Sequence, residues 1–149
     1  VPVVANGDID SPEKARVVLQ ATGADALMIG RAAQGRPWIF REVAHYLAHG
    51  TQLAPPTVRE VQQWLTAHLH DHYALYGEFT GVRSARKHIG WAVKALPGGL
   101  DFRDAMNRIA DCRAQVDAVT DYFGQLADQH HLLPTAAAAA NEPQEALAA

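Results

Sequence analysis

One cysteine, Cys112, is all the thiol chemistry this chain has. It excludes an intrachain disulfide, leaves no basis for a thiolate metal cluster, and fits a reducing compartment. Long apolar runs are missing too. None reaches bilayer-spanning length, and no charged-then-apolar signal segment opens the chain. The expected location is the cytoplasm, with no membrane partner and no obligate protein partner. An overall basic excess is also lacking, since 13 Lys and Arg stand against 16 Asp and Glu. The charge is unevenly spread, however. Residues 1–78 carry net −2, residues 79–103 net +4 and residues 104–149 net −5. A local basic block on an acidic chain points to a polyanionic partner more than the total does. The first residue is Val1 rather than Met, already inside an apolar strand pattern. The chain therefore reads as the C-terminal part of a longer protein.

What is present suits a water-soluble fold: 149 residues, 48% hydrophobic, enough for one domain or two small ones. Residues 1–5 form a continuous apolar run, the pattern of a parallel strand buried on both faces. It ends at Asn6-Gly7-Asp8. Ser11, Pro12 and Glu13 then give the cap, first position and favourable charge of a helix start. Ala15, Val18, Leu19 and Thr22 mark its inner face, and Gly23 stops it. Residues 24–29 predict a second strand, so the spacing is that of a βαβ unit. The second strand breaks at Gly30-Arg31, passes a small-residue loop and enters a helix over 37–49. Two glycine turns thus follow strand C-termini, the edge at which α/β proteins bind ligands. Backbone N–H groups at such turns can hold an anion, and an arginine adds a planar charged donor. Asn6, Gly7, Asp8, Gly30 and Arg31 are therefore candidates for a phosphate cradle. The plainer alternatives are an ordinary βα turn and an ion pair of Arg31 with Asp8 or Asp25. Phosphate cannot bind a carboxylate directly, so Asp8 would serve through its N–H or by fixing the loop.

Two strands cannot cover both faces of a parallel sheet. The expected fold class is α/β: the last two βα units of a (β/α)8 TIM barrel, followed by an all-α helical domain. Residues 1–50 would be the barrel quarter, 51–56 a linker with two prolines, 57–129 the helical domain and 130–149 a disordered Ala-rich tail. Thr57 and Glu60 form a capping box for a helix over 58–76 that buries Val61, Trp64, Leu65, Leu69 and Tyr73. Gly77 and Gly81 bracket a turn. A helix over 82–96 then has Val82, Ala85, Ile89, Val93 and Leu96 on one side. Its other side carries Arg83, Arg86, Lys87, Gly90 and Lys94, a basic stripe with a glycine in the middle where a bulky ligand could approach. Pro97-Gly98-Gly99 is a turn, Asp101 caps a helix from Phe102, and Asp111 suits the cap of a further one. The stripe is either a solvated face or an RNA contact. Arg36 faces either RNA or solvent. His68 and His72, at i and i+4, are spaced for zinc, but no metalloprotease-type carboxylate accompanies them, so no metal site is assigned. Trp64, Trp91 and the tyrosines read as core residues, and Cys112 as a small buried apolar one.

Three motifs, residues 3–9, 23–40 and 83–91, together resemble the bacterial tRNA-dihydrouridine synthases of the B subfamily. The likeness extends over residues 1 to about 126, is weaker over 97–101 and is absent in the tail. It implies reduction of the C5–C6 double bond of particular uridines in tRNA by FMN, which NADPH keeps reduced. It implies that Asn6, Gly7, Asp8, Gly30 and Arg31 hold the FMN phosphate. It also implies that the helical domain grips tRNA, with Arg36, Arg83, Arg86, Lys87 and Lys94 as the candidate contacts. The family's general acid, a cysteine, and its flavin-contacting lysine lie on earlier barrel segments. No catalytic residue is therefore expected in this chain, and the fragment alone is expected to be inactive. The alternatives are a non-catalytic RNA-binding fragment and another phosphate-binding barrel enzyme.

Overall fold

A computed structural model describes residues 1–134. Contacts divide the chain into two compact units, Val1–Ala54 and a second from Pro55 onward. The first unit runs β1 (Val4–Asn6), α1 (Pro12–Thr22), β2 (Ala26–Met28), a 3-10 turn (Arg31–Ala33) and α2 (Ile39–His49). The strands pair in parallel, with Val4 opposite Ala26, Ala5 opposite Leu27 and Asn6 opposite Met28. Each is shorter than its apolar run, because the ladder is limited to the stretch where both chains are extended side by side. Outside it, Asp25 still tethers the strand start, its carboxylate accepting from the Val3 N–H at 2.7 Å. The sequence-level caps of α1 hold. The Ser11 hydroxyl accepts from the Lys14 N–H, and Gly23 ends the helix in the left-handed region at φ 64°. Ile9, Ala15, Ile29, Ile39 and Val43 form the buried core of this unit.

The second unit is helical. Its first element, α3 (Val58–Val93), is interrupted at Gly77, whose φ of 69° and ψ of 171° are non-helical. Contacts across the break define a hairpin of two arms. His72 meets Ser84 at 2.7 Å, and His68 meets His88 at 3.3 Å. A Cβ on Gly81 would lie 3.0 Å from the Tyr73 ring. The reversal therefore happens at Gly77 alone. Gly81 belongs to the second arm, where it lets the arms come close, rather than to the turn expected from the sequence. The capping box is present in full, with Thr57 and Glu60 each accepting from the other's backbone.

α4 (Gly99–Met106) begins earlier than the expected start at Phe102. Gly98 occupies the cap position at φ 64°, and Asp101 sits in the first turn instead. The Val93 carbonyl lies where a Cβ of Gly99 would be, so only glycine fits there. α5 (Cys112–Gln129) is capped by Asp111 as expected, its side chain accepting from the Ala114 N–H. Leu65, Leu69, Val82, Ile89, Met106, Val119 and Phe123 fill the core of the unit. Gln115 is fully buried within it. The Tyr73 hydroxyl donates to Gln115 Oε1 at 2.6 Å, and burial pushes the Tyr73 hydroxyl pKa up to about 12.

One correction concerns the tail. Residues 130–133 do not leave the fold. The Leu133 N–H donates to the Pro56 carbonyl at 2.8 Å, and the Val58 N–H donates to the His131 carbonyl at 3.0 Å. Val58 is the first residue of α3, so its N–H has no partner within the helix, and the returning chain supplies one. Residues 135–149, the rest of the expected tail, lie outside the described residues.

The conformation at Gly77 lies in a region essentially reserved for glycine. Nothing lies within 4 Å of where its Cβ would be, so a substitution there costs backbone strain alone. Gly77→Ala is expected to lower stability by about 1–3 kcal/mol in urea unfolding. Gly124→Ala, also in open space but within α5, is expected to leave stability equal or raise it by up to about 1 kcal/mol.

Candidate functional site

Parallel pairing puts both strand C-termini on one edge. Because Asn6 stands opposite Met28, the turn after each strand opens beside the other. Asn6, Gly7, Asp8, Met28, Gly30 and Arg31 line a cleft of about 800 Å³. Gly7 has open space where a Cβ would project, so a ligand can approach its backbone. Within the 3-10 turn, Ala33 and Gln34 donate back to Gly30 and Arg31. The N–H groups of Arg31 and Ala32 precede that pattern, as do the first donors of any helical turn. Asp8 has a positive φ of 46°, unusual for a non-glycine residue.

Of the two acids considered for Arg31, the structure selects Asp8, whose Oδ1 accepts from Arg31 Nη2. Asp25 is engaged by Val3 instead. The Arg31 and Asp8 side chains are 80% and 69% exposed, and an ion pair so open to water contributes only about 0–1 kcal/mol. A phosphate offers the same guanidinium a stronger bidentate partner. The arrangement fits a phosphate monoester that replaces Asp8 on Arg31 and takes the turn N–H groups. The Asp8 side chain ties its loop to Arg31.

The Arg36 side chain is paired within its own unit and is still 41% exposed. Its Nη2 meets Glu42 Oε2 at 2.5 Å, and Nη1 donates to the Asp10 carbonyl at 3.3 Å. It ties the start of α2 to the loop that leaves the cleft. The pairing has a local cause, since Glu42 lies in the first turn of α2 and faces back toward Arg36.

The expected basic stripe is changed in two places. Arg86 leaves it, because its Nη2 donates to the Ile109 carbonyl at 2.9 Å and its Nε is buried without a partner among the described residues. The space beside Gly90 is filled by the aliphatic stem of Arg103, 3.5 Å from where a Cβ would stand. Arg83, Lys87 and Lys94 remain exposed. None of these three has a carboxylate within ion-pair reach among the described residues. The Arg83 guanidinium lies over the Phe79 ring at 4.3 Å, and the Lys87 ammonium lies 5.0 Å from the Trp91 ring centre. Leu75, Tyr76 and Phe79 stand exposed at the hairpin tip. The sequence reading missed this aromatic tip. Tyr76, expected in the core with the other tyrosines, follows the apolar spacing of the first arm but is left exposed because the arm ends at Gly77. His88, which joins His68 and His72 across the arms, was missed as well.

Cys112 opens α5, and its N–H donates to Glu78 Oε1 at 3.3 Å. Burial, then the carboxylates Glu78 and Asp111, push its thiol pKa up, which holds it protonated and unreactive.

Comparison with known proteins assigns this pair of units to a class. The model of the family described as Dihydrouridine synthase (Dus) matches residues 1–128. The chain belongs to the dihydrouridine synthase family. It is 57% identical over 125 residues to tRNA-dihydrouridine synthase B of Pseudomonas syringae pv. tomato, covering 84% of this chain and 37% of the relative. It is 56% identical over 126 residues to tRNA-dihydrouridine synthase B of Xanthomonas campestris pv. campestris, covering 85% and 38%. With the protein of the same name from Vibrio vulnificus it shares 50% over 127 residues, covering 85% and 39%. The chain thus spans well under half the length of these curated relatives.

The hairpin geometry separates two arginines that the sequence placed together. Arg86→Ala removes the donor to the Ile109 carbonyl and is expected to lower stability by about 1–3 kcal/mol in urea unfolding. Arg83→Ala, on the exposed side, is expected to change it by less than about 0.5 kcal/mol.

Proposed function

We propose that this chain supplies the cofactor-phosphate end of a TIM barrel and the RNA-gripping domain of an FMN-dependent, NADPH-linked tRNA-uridine reductase. The observation that carries the reading is the parallel register that gathers Asn6, Gly7, Asp8, Gly30 and Arg31 around one cleft. Exposed apolar side chains on the two strands, Val4 and Met28, with Val3 just before the first, support the barrel, because neighbouring strands and helices would cover them. The names of the relatives support tRNA as substrate.

Bound FMN would supply the hydride for the uracil C5–C6 bond, which no side chain can provide. The residues of this chain would bind and orient it. Gly7 and Gly30 admit the phosphate close to the backbone, Arg31 neutralises its charge, and Asp8 releases Arg31 when the phosphate arrives. Arg36, bridging Glu42 and Asp10, keeps the loop in place rather than touching RNA. The general acid and the flavin-contacting lysine would come from barrel segments outside this chain.

The hairpin suits RNA on two counts. Arg83, Lys87 and Lys94 give an exposed cationic side for phosphates. Phe79, with Arg83 already over its ring, gives a stacking platform for an unpaired base. A non-catalytic RNA-binding role is the second reading, because these hairpin features do not require the cradle. The third, a barrel enzyme acting on a small phosphorylated substrate, leaves the basic and aromatic hairpin without a use. The cytoplasm is the proposed location. No helix among the described residues is long and apolar enough to cross a membrane.

In the full-length protein, Arg31→Ala is expected to weaken FMN retention roughly 10- to 100-fold, the worth of a hydrogen bond to a charged group, with tRNA binding intact. Retained flavin in that variant would remove the cradle from the account. Arg83→Ala with Lys87→Ala is expected to weaken tRNA binding and reduce the log–log salt slope by roughly 2, with FMN still bound. Phe79→Ala is expected to cost about 1–3 kcal/mol of tRNA binding with no change in salt slope.

A further inference from the structure

The hairpin carries a group of side chains that neither the cradle nor the RNA surface uses. His68 and His72 project one turn apart from the first arm, and His88 meets them from the second. Each offers one ring nitrogen, and the three nitrogens lie within 4.8 Å of one another. His68 Nε2 and His88 Nδ1 are 3.3 Å apart. Two nitrogens each ~2.0–2.1 Å from a zinc ion at the tetrahedral angle stand about 3.3–3.4 Å apart. That pair already has the edge length of a tetrahedral site.

His72 is held in the form a ligand needs. Its Nε2 lies 2.7 Å from Ser84 Oγ. The Ser84 hydroxyl has one proton, and it lies 2.8 Å from the Thr80 carbonyl and 3.2 Å from the Gly81 carbonyl. With the serine proton on these backbone carbonyls, the serine oxygen accepts from His72 Nε2–H in the tautomer protonated there. Nδ1 of His72 then carries the free lone pair. A hydrogen bond on the far nitrogen is how proteins orient metal-ligating histidines. Burial lowers the pKa of His72, and His68 nearby lowers it further. Burial first, then His68, His72 and Lys87, lowers that of His88. No carboxylate belongs to the group.

We infer that His68, His72 and His88 form a three-histidine site for a divalent transition-metal ion of the zinc class. All-nitrogen donors favour zinc, nickel or cobalt over magnesium or calcium. His72 is buried, His88 half-buried and His68 exposed, so the ion enters from the His68 side and keeps a water in its fourth position. Two ligands come from one arm and one from the other. The ion therefore fastens the arms of the hairpin together just below its aromatic tip.

The test uses untagged full-length protein stripped with a chelator and titrated with cobalt(II) chloride, then zinc sulfate. One cobalt per chain with the intense visible absorption of a four-coordinate ion, displaced by zinc, is expected, together with a rise in Tm on adding zinc. His88→Ala is expected to abolish that absorption. Ser84→Ala is expected to weaken zinc binding about 10- to 100-fold. His70→Ala, exposed on the same arm but outside the group, is expected to change nothing. Should His88→Ala lose helical circular dichroism without metal, His68→Ala carries the same test, because His68 is exposed and its loss spares the core. Absence of the four-coordinate absorption in the parent protein would overturn the inference. So would equal binding by the His68→Ala and parent proteins, or loss of binding in His70→Ala.

Discussion

The parallel ladder between β1 and β2 is the constraint on which the first unit depends. Three residue pairs fix which way both strands point, and therefore that both turns open on one edge. Antiparallel pairing, or a connection too short to hold α1, would send Gly7 and Gly30 to opposite ends. The caps of α1 make the crossover the right length, with Ser11 starting it and left-handed Gly23 ending it. The cleft, the latch between Arg31 and Asp8 and the brace at Arg36 all follow from that register. A weak ion pair on a firmly placed loop is a suitable arrangement for binding an anion, because the loop keeps its shape when the partner changes.

In the second unit the corresponding constraint is the reversal at Gly77. It folds one long helical run back on itself and sets which residues of the two arms meet. Ser84 reaches His72, His88 reaches His68, and Gly81 lets Tyr73 close in. The turn also has no core to cover its own apolar side chains, so Leu75, Tyr76 and Phe79 remain in water. An aromatic tip beside Arg83 and Lys87 is costly to solubility unless something stacks on it, the part that the proposed function gives to RNA.

Local signals were the legible part of the fold. Ser11, Pro12, Thr57, Glu60 and Asp111 announced helix starts through their own side chains, and Gly23 announced an end. These effects act over three or four residues, so a linear reading finds them. The start of α4 was missed because it depends on the Val93 carbonyl approaching Gly99, a contact the linear pattern does not display. The return of residues 130–133 to Pro56 and Val58 was missed for a similar reason, since no periodicity marks a backbone exchange between distant segments. At the candidate site the sequence picked out the two turns that the parallel ladder brings to one cleft, but it left the partner of Arg31 open. It grouped Arg86 with Arg83 and Lys87 by spacing alone. Helical spacing says which residues share a face, and it does not say that Ile109 will draw one of them inward. His88 escaped notice because a hairpin register, rather than an i, i+4 repeat, joins it to His68 and His72.

On the proposed function, two turns aligned by one parallel ladder hold a flavin phosphate that takes the place of Asp8 on Arg31. A crystal structure of the full-length protein with FMN bound tests it most directly. The expected result is the phosphate within hydrogen-bond reach of the Arg31 guanidinium and the Gly7 and Gly30 turns, with the Asp8 carboxylate turned away. A phosphate bound elsewhere, with Arg31 still paired to Asp8, would contradict it.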